Sequence, residues 1–192
     1  MLWLLLNTRQ KAITIMNTKT FLAASLVTVF VVSMIMLPAY ATAGYLTITS
    51  ADVEKGKKGW KFEIETAGKI LPVGTYGYGA FGENGVIAVT THGGVGPDSE
   101  AQHGDASNPV FHTHIVQLNT GTDTACSSEI GVKSASFETV GKLEISGKTV
   151  EVSKIPENAV GKLTGTVVSF NLGFEGSELC VYPQSLFTAE ND

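Results

Sequence analysis

From Tyr45 onward the chain repeats one pattern: a short run rich in Val, Ile, Thr and aromatic residues, then a break at Gly, Pro, Asn or Asp. No later stretch keeps the 3.6-residue period of an amphipathic helix, so strands are what this chain can build. Candidate strands are Tyr45–Thr49, Trp60–Thr66, Gly74–Phe81, Val86–His92, Val110–Leu118, Ser134–Thr139, Lys142–Ile145, Thr149–Ile155, Thr164–Phe174 and Glu178–Tyr182. The clearest pair is Leu143–Val152, where apolar and charged residues alternate on both arms around Ser146-Gly147-Lys148, a hairpin with one buried and one wet face. About ten strands over residues 44–192 predict an all-β fold, a single antiparallel β-sandwich or barrel. One helical turn over 157–162 is expected after Pro156.

Residues 1–43 are of another kind. Phe21–Leu37 is almost wholly apolar, Lys19 stands just before it, no acidic residue precedes it, and Ala41-x-Ala43 follows. That is the layout of a secretory signal peptide, a basic segment, a greasy helix and a small-residue cleavage site. The expectation is a leader over 1–43 and an exported β domain over 44–192, placed outside the cell or in its envelope. Met16 is a second candidate start, since Met16-Asn17-Thr18-Lys19 makes a compact basic segment. An uncleaved leader would instead be a membrane anchor, near the shortest length that spans a bilayer. Beyond the leader lie ten basic and eighteen acidic side chains, a net charge of −8. Such a domain lacks the basic footprint that binding phosphate backbones requires, which excludes nucleic acid as a partner.

Cys126 and Cys180 are the two cysteines. In an exported chain such a pair is expected to be a disulfide. A copper thiolate is the competing reading. It is disfavoured because no histidine follows Cys126 and residues 44–192 contain no methionine.

Two segments depart from the plain strand pattern. In Gly74–Gly82 the alternation sends Tyr76 and Tyr78 to one face and leaves Gly77 and Gly79 bare on the other. Bare glycine suits close packing or a bent strand, or else a flat ligand such as a sugar ring. The other segment runs from strand Val86–His92 through the long loop Gly93–Pro109 into strand Val110–Leu118, and it holds all four histidines. Strand period two places His112 and His114 on one face with Val110, Val116 and Leu118, an otherwise apolar face. An antiparallel register in which paired residue numbers sum to 204 would set His92 opposite His112 and Thr90 opposite His114. His103 and Glu100, three apart in the loop, could then complete a site. Neutral imidazoles with a carboxylate suit Cu²⁺ or Zn²⁺. Two other readings stand beside this one: histidines bonded to loop carbonyls where the core meets solvent, and a pH sensor.

The His-x-His strand, the cysteine pair and the β domain of this length resemble the copper–zinc superoxide dismutases in outline. The resemblance implies an exported barrel with histidine-bound metal. In that family, however, the His-x-His comes first and a metal-binding histidine lies well downstream, whereas here no histidine follows His114. The dismutase activity is therefore not carried over. Immunoglobulin-like and jelly-roll sandwiches share the same outline.

Nucleophilic chemistry has no support, since no Gly-x-Ser-x-Gly elbow occurs. The acidic pairs Glu63/Glu65 and Glu175/Glu178 read as wet strand faces. The sequence thus predicts metal binding or delivery at the cell envelope, with His92, His112, His114, His103 and Glu100 as ligands to copper or zinc. The alternative is a metal-free structural or adhesive domain that meets envelope proteins or glycans through sheet edges or Tyr76 and Tyr78.

Overall fold

The computed structural model describes residues 43–72, 74–91, 111–136 and 139–189, so the leader lies outside it. The strands are β1 (Ile48–Gly56), β2 (Gly59–Thr66), β3 (Tyr76–Gly82), β4 (Gly85–Thr91), β5 (His112–Thr120), β6 (Ile130–Ala135), β7 (Lys142–Ser146), β8 (Thr149–Ile155), β9 (Leu163–Glu175) and β10 (Glu178–Thr188). A single helical turn, α1 (Glu157–Val160), follows Pro156 as expected. The described residues are nearly all β, as expected, but they form a closed barrel and a second sheet in place of a single sandwich or barrel. Six strands close an antiparallel barrel in the order β10-β6-β5-β4-β3-β9, and the other four form a sheet ordered β1-β2-β8-β7.

Two cores result. The sheet lays Phe62, Ile64, Val150 and Val152 against Tyr76, Tyr78, Ile87, Val89 and Val167 on the outside of the barrel wall. The second core fills the barrel itself, from Val86, Ala88, Val116, Ile130, Val168, Phe170 and Val181. Strands β3 and β4 stand between the two, and twelve of their fourteen residues are buried. A strand covered on both faces reads as a continuous run of small and apolar residues, which is the sequence of Tyr76–Phe81 and Val86–Val89.

The predicted hairpin forms, with Leu143 opposite Val152 and Ile145 opposite Val150 across Gly147, whose φ of 61° is the left-handed conformation the turn needs. Tyr76 and Tyr78 do share a face, but that face is the outer core. Their hydroxyls donate to the carbonyls of Leu71 and Tyr45, both at 2.5 Å. Burial pushes both phenols upward, Tyr76 to about 12. The adhesive patch expected from these two tyrosines is therefore corrected: their rings are inside the protein. Gly77 and Gly79 face the lumen, where close packing takes their space. A Cβ on Gly77 would lie 2.8 Å from Cζ of Phe170 and 2.3 Å from the carbonyl oxygen of Val89.

Three strands differ most from expectation, the others by at most two residues at an end. The segment expected as Tyr45–Thr49 opens with a 3-10 turn over Gly44–Leu46, and the strand runs on to Gly56. Only Ile48 and Val53 of β1 are buried, and a register shift between Ile48 and Ser50 breaks the two-residue rhythm that would have revealed it. Strand β6 begins four residues before the expected Ser134, and β10 continues past Pro183 through a second shift between Pro183 and Ser185.

The barrel seam between β6 and β10 has a single ladder pair, Cys180 opposite Gly131. Cys126 and Cys180 are disulfide-bonded there, with Cα atoms 5.6 Å apart. The Glu178 carboxylate accepts from the Thr124 hydroxyl (2.6 Å) and the Ala125 N–H (2.8 Å). Glu175 accepts from the Ser127 N–H (2.9 Å) and from the hydroxyls of Ser127 and Tyr182. The acidic pair lies on a wet face, as expected, and from there it clamps the loop that carries Cys126. These hydrogen bonds, to Ser127 and Tyr182 for Glu175 and to Thr124 and Ala125 for Glu178, hold both carboxyls below the usual range.

Candidate functional site

The site is built on the β4–β5 pair. Val86 lies opposite Val116, Ala88 opposite His114 and Thr90 opposite His112. The paired numbers therefore sum to 202, two less than the expected 204, and Thr90 takes the place predicted for His92. A slip of one residue would turn every side chain to the wrong face, but a slip of two preserves all faces, so hydrophobic pattern cannot distinguish these registers. The even-numbered residues of both strands share one face, as predicted. Val86, Ala88, Thr90, His114, Val116 and Leu118 from it line the barrel lumen.

His112 and His114 are each 4% exposed, and their ring centroids are 6.2 Å apart in an edge-to-face arrangement. Nδ1 of His114 lies 2.8 Å from the carbonyl oxygen of Ser136. A carbonyl only accepts, so this nitrogen carries the proton, and in the neutral ring the lone pair belongs to Nε2. Ser136 is itself fixed to β5: its hydroxyl accepts from the Ile115 N–H (2.9 Å), and its own N–H donates to the Ile115 carbonyl (2.9 Å). On the opposite face of β5, Thr113 donates to the Val140 carbonyl (2.7 Å) and accepts from its N–H (2.8 Å). Both faces of the histidine strand are therefore pinned by the chain that follows β6.

Of the five expected ligands, the structure brings together His112 and His114. His92, Glu100 and His103 lie outside the described residues, as do the loop Gly93–Pro109 and Val110. Among the described residues, no group of three His, Cys, Asp or Glu could hold a metal ion.

The lumen itself is what sequence reading missed. It contains a cavity of about 60 Å³ whose walls, among the described residues, are apolar except at Thr90 and His114. Phe81, Val168, Phe170 and Leu172 form one side, and Val132, Ala135, Leu179 and Val181 the side nearest the β6–β10 seam. Thr90 is 6% exposed, and its hydroxyl has no hydrogen-bond partner among the described residues. The available signal was its parity, shared with Val86 and Ala88. Threonine is so common in strands that one among Thr90, Thr91 and Thr113 attracts no notice.

No protein-family model, no curated protein and no solved structure matches this chain.

Proposed function

We propose that this is an exported binding protein that takes a small, mostly apolar ligand into the lumen of its six-stranded barrel. The observation that carries the reading is the apolar cavity. Small barrels normally fill their interior with side chains, or else enclose a ligand. At roughly 24 cal/mol per Å³, leaving this space empty costs on the order of 1 kcal/mol, and exchanging Ala88 for valine would remove much of it without changing strand propensity for the worse. The leader-like segment and the disulfide support export to an oxidising compartment.

Xenon is the direct probe, because apolar cavities bind it without hydrogen bonds. Xenon-dependent shifts confined to the methyl resonances of Val86, Val116 and Val168, and lost in Ala88→Val, are the expected result. Wild-type protein whose lumen methyls ignore xenon would overturn the reading.

A second reading, copper or zinc binding at the histidines, is favoured by the His114–Ser136 hydrogen bond. Metal-ligating histidines characteristically donate their other ring nitrogen to a carbonyl or carboxylate. The remaining ligands would come from His92, His103 and Glu100. Stoichiometric uptake of Cu²⁺ or Zn²⁺ that disappears in His112→Ala/His114→Ala is its expected result. Protein that takes up no metal, or whose uptake survives that double substitution, would refute it.

A further inference from the structure

We propose that the lumen ligand is a neutral short-chain molecule carrying one oxygen, a hydroxyl or a carbonyl, and that this oxygen bonds to Thr90. The inference rests on the lumen-binding reading and adds to it the chemical class of the ligand. Three observations lead there.

The first is the orphaned hydroxyl. Thr90 is more than nine-tenths buried, lines the cavity, and has no hydrogen-bond partner for Oγ1 among the described residues. Valine has the same shape and the same preference for strands, so packing does not explain the oxygen. A buried hydroxyl without a partner weakens a fold, and a ligand atom that completes the bond removes that penalty. Because a hydroxyl both donates and accepts, it serves a carbonyl or an alcohol equally well.

The second is the absence of charge. Among the described residues that line the cavity there is no Asp, Glu, Lys or Arg, and His114 is the one titratable group. A carboxylate or ammonium drawn in would be desolvated against Val86, Val116 and Phe170, which is far costlier than burying a neutral polar group. The ligand is therefore neutral.

The third is size. Roughly 10–15 Å³ of such space holds a water, and a cavity of about 150 Å³ admits benzene. At about 60 Å³ the lumen has room for a few carbon atoms. The match is a short alkyl chain with its oxygen at the Thr90 end.

The experiment is a methyl-resonance titration of wild type, Thr90→Val and Thr90→Ser with 1-butanol, 2-butanone and butanoate, with xenon as the reference ligand. Wild type and Thr90→Ser should bind the alcohol and the ketone about tenfold more tightly than Thr90→Val, the value of one hydrogen bond worth 1.4 kcal/mol. Xenon should bind all three proteins alike, and butanoate should bind none. Equal affinity of wild type and Thr90→Val for 1-butanol and 2-butanone, with xenon still bound, would overturn the assignment of ligand class and leave the lumen-binding reading standing. Failure of xenon to bind wild type would remove both. Tighter binding of butanoate than of 1-butanol would overturn the claim of neutrality.

Discussion

Thr90 sits where a valine would fit the lumen wall with nothing left unsatisfied. In the absence of ligand, Thr90→Val should therefore raise stability by about 1 kcal/mol, the low end of the cost of an unpaired buried hydroxyl. Urea unfolding at unchanged m-value is the measurement, and a variant less stable than wild type would mean that the hydroxyl is satisfied in solution. Stabilisation by removal of a polar group is the pattern expected where a position serves binding at the fold's expense. Residue-scale legibility was uneven for a physical reason. Parity along a strand is fixed by the pleat, so the shared face of His112 and His114, and the opposite faces of Tyr76 and Gly77, could be read directly. Which face meets solvent is decided by what else packs there. The tyrosine face that sequence left open to glycans is instead roofed by β2 and β8.

Between strands, the hydrophobic pattern defines a register only modulo two, and connection length must supply the rest. The Leu143–Val152 hairpin has a tight turn, and its two arms and their buried face were legible. The β4–β5 pair is joined by residues 92–111, a connection too long to set any offset, and there the expected pairing was two residues out. The clamp on the β6–β10 seam was hidden for a similar reason, since Glu175 and Glu178 meet Thr124–Ser127 from some fifty positions away. Its pH dependence follows from the lowered carboxyls. A group whose folded pKa is depressed adds stability above its unfolded value, and loses it as pH falls through the folded one. Glu178→Gln should accordingly lower the melting temperature at neutral pH, with the gap to wild type closing as pH drops below about 4.5, the unperturbed value. A gap that widened in acid would contradict the clamp. On the far side of the molecule, Asp52, Glu63, Glu151 and Glu144 stand directly opposite one another across all four strands of the sheet. Lys61 lies 3.3 Å from Glu63 and 3.5 Å from Glu151 and offsets part of that like-charge row.

At the scale of the whole molecule, the all-β class and the approximate strand number were legible because they follow from local pattern, and the cysteine pair because the chain has two cysteines. The partition into sheet and closed barrel was not, because closure depends on the β6–β10 contact, which has one ladder pair to announce it. The disulfide reinforces that weakest seam. Its 54-residue separation corresponds to about 4 kcal/mol in the chain-entropy model. Reduction should therefore lower global stability and, before that, speed amide exchange at Gly131 and Val132 ahead of the β3–β4 amides. Uniform acceleration through both cores would indicate that the seam has no special weakness. Because Val132, Leu179 and Val181 form the lumen wall beside this seam, the same experiment shows whether its opening exposes the cavity.

The double burial of β3 and β4 reaches beyond stability to the range of sequences this fold can accept. In β7 every second residue is exposed and in β8 the alternate residues Thr149, Glu151 and Ser153 are half-buried, so charge and length there are more negotiable. In β3 and β4 no such alternation exists: one set of side chains belongs to the outer core and the other to the lumen. A lineage adapting the lumen to a new ligand must therefore do so on a wall whose reverse side already holds the molecule together. The freedom to retune is greatest in β6, none of whose residues packs against the outer core, whereas Ile115 of β5 and Phe187 of β10 do. Descendants of this chain should diverge in what they hold mainly on the seam side of the barrel.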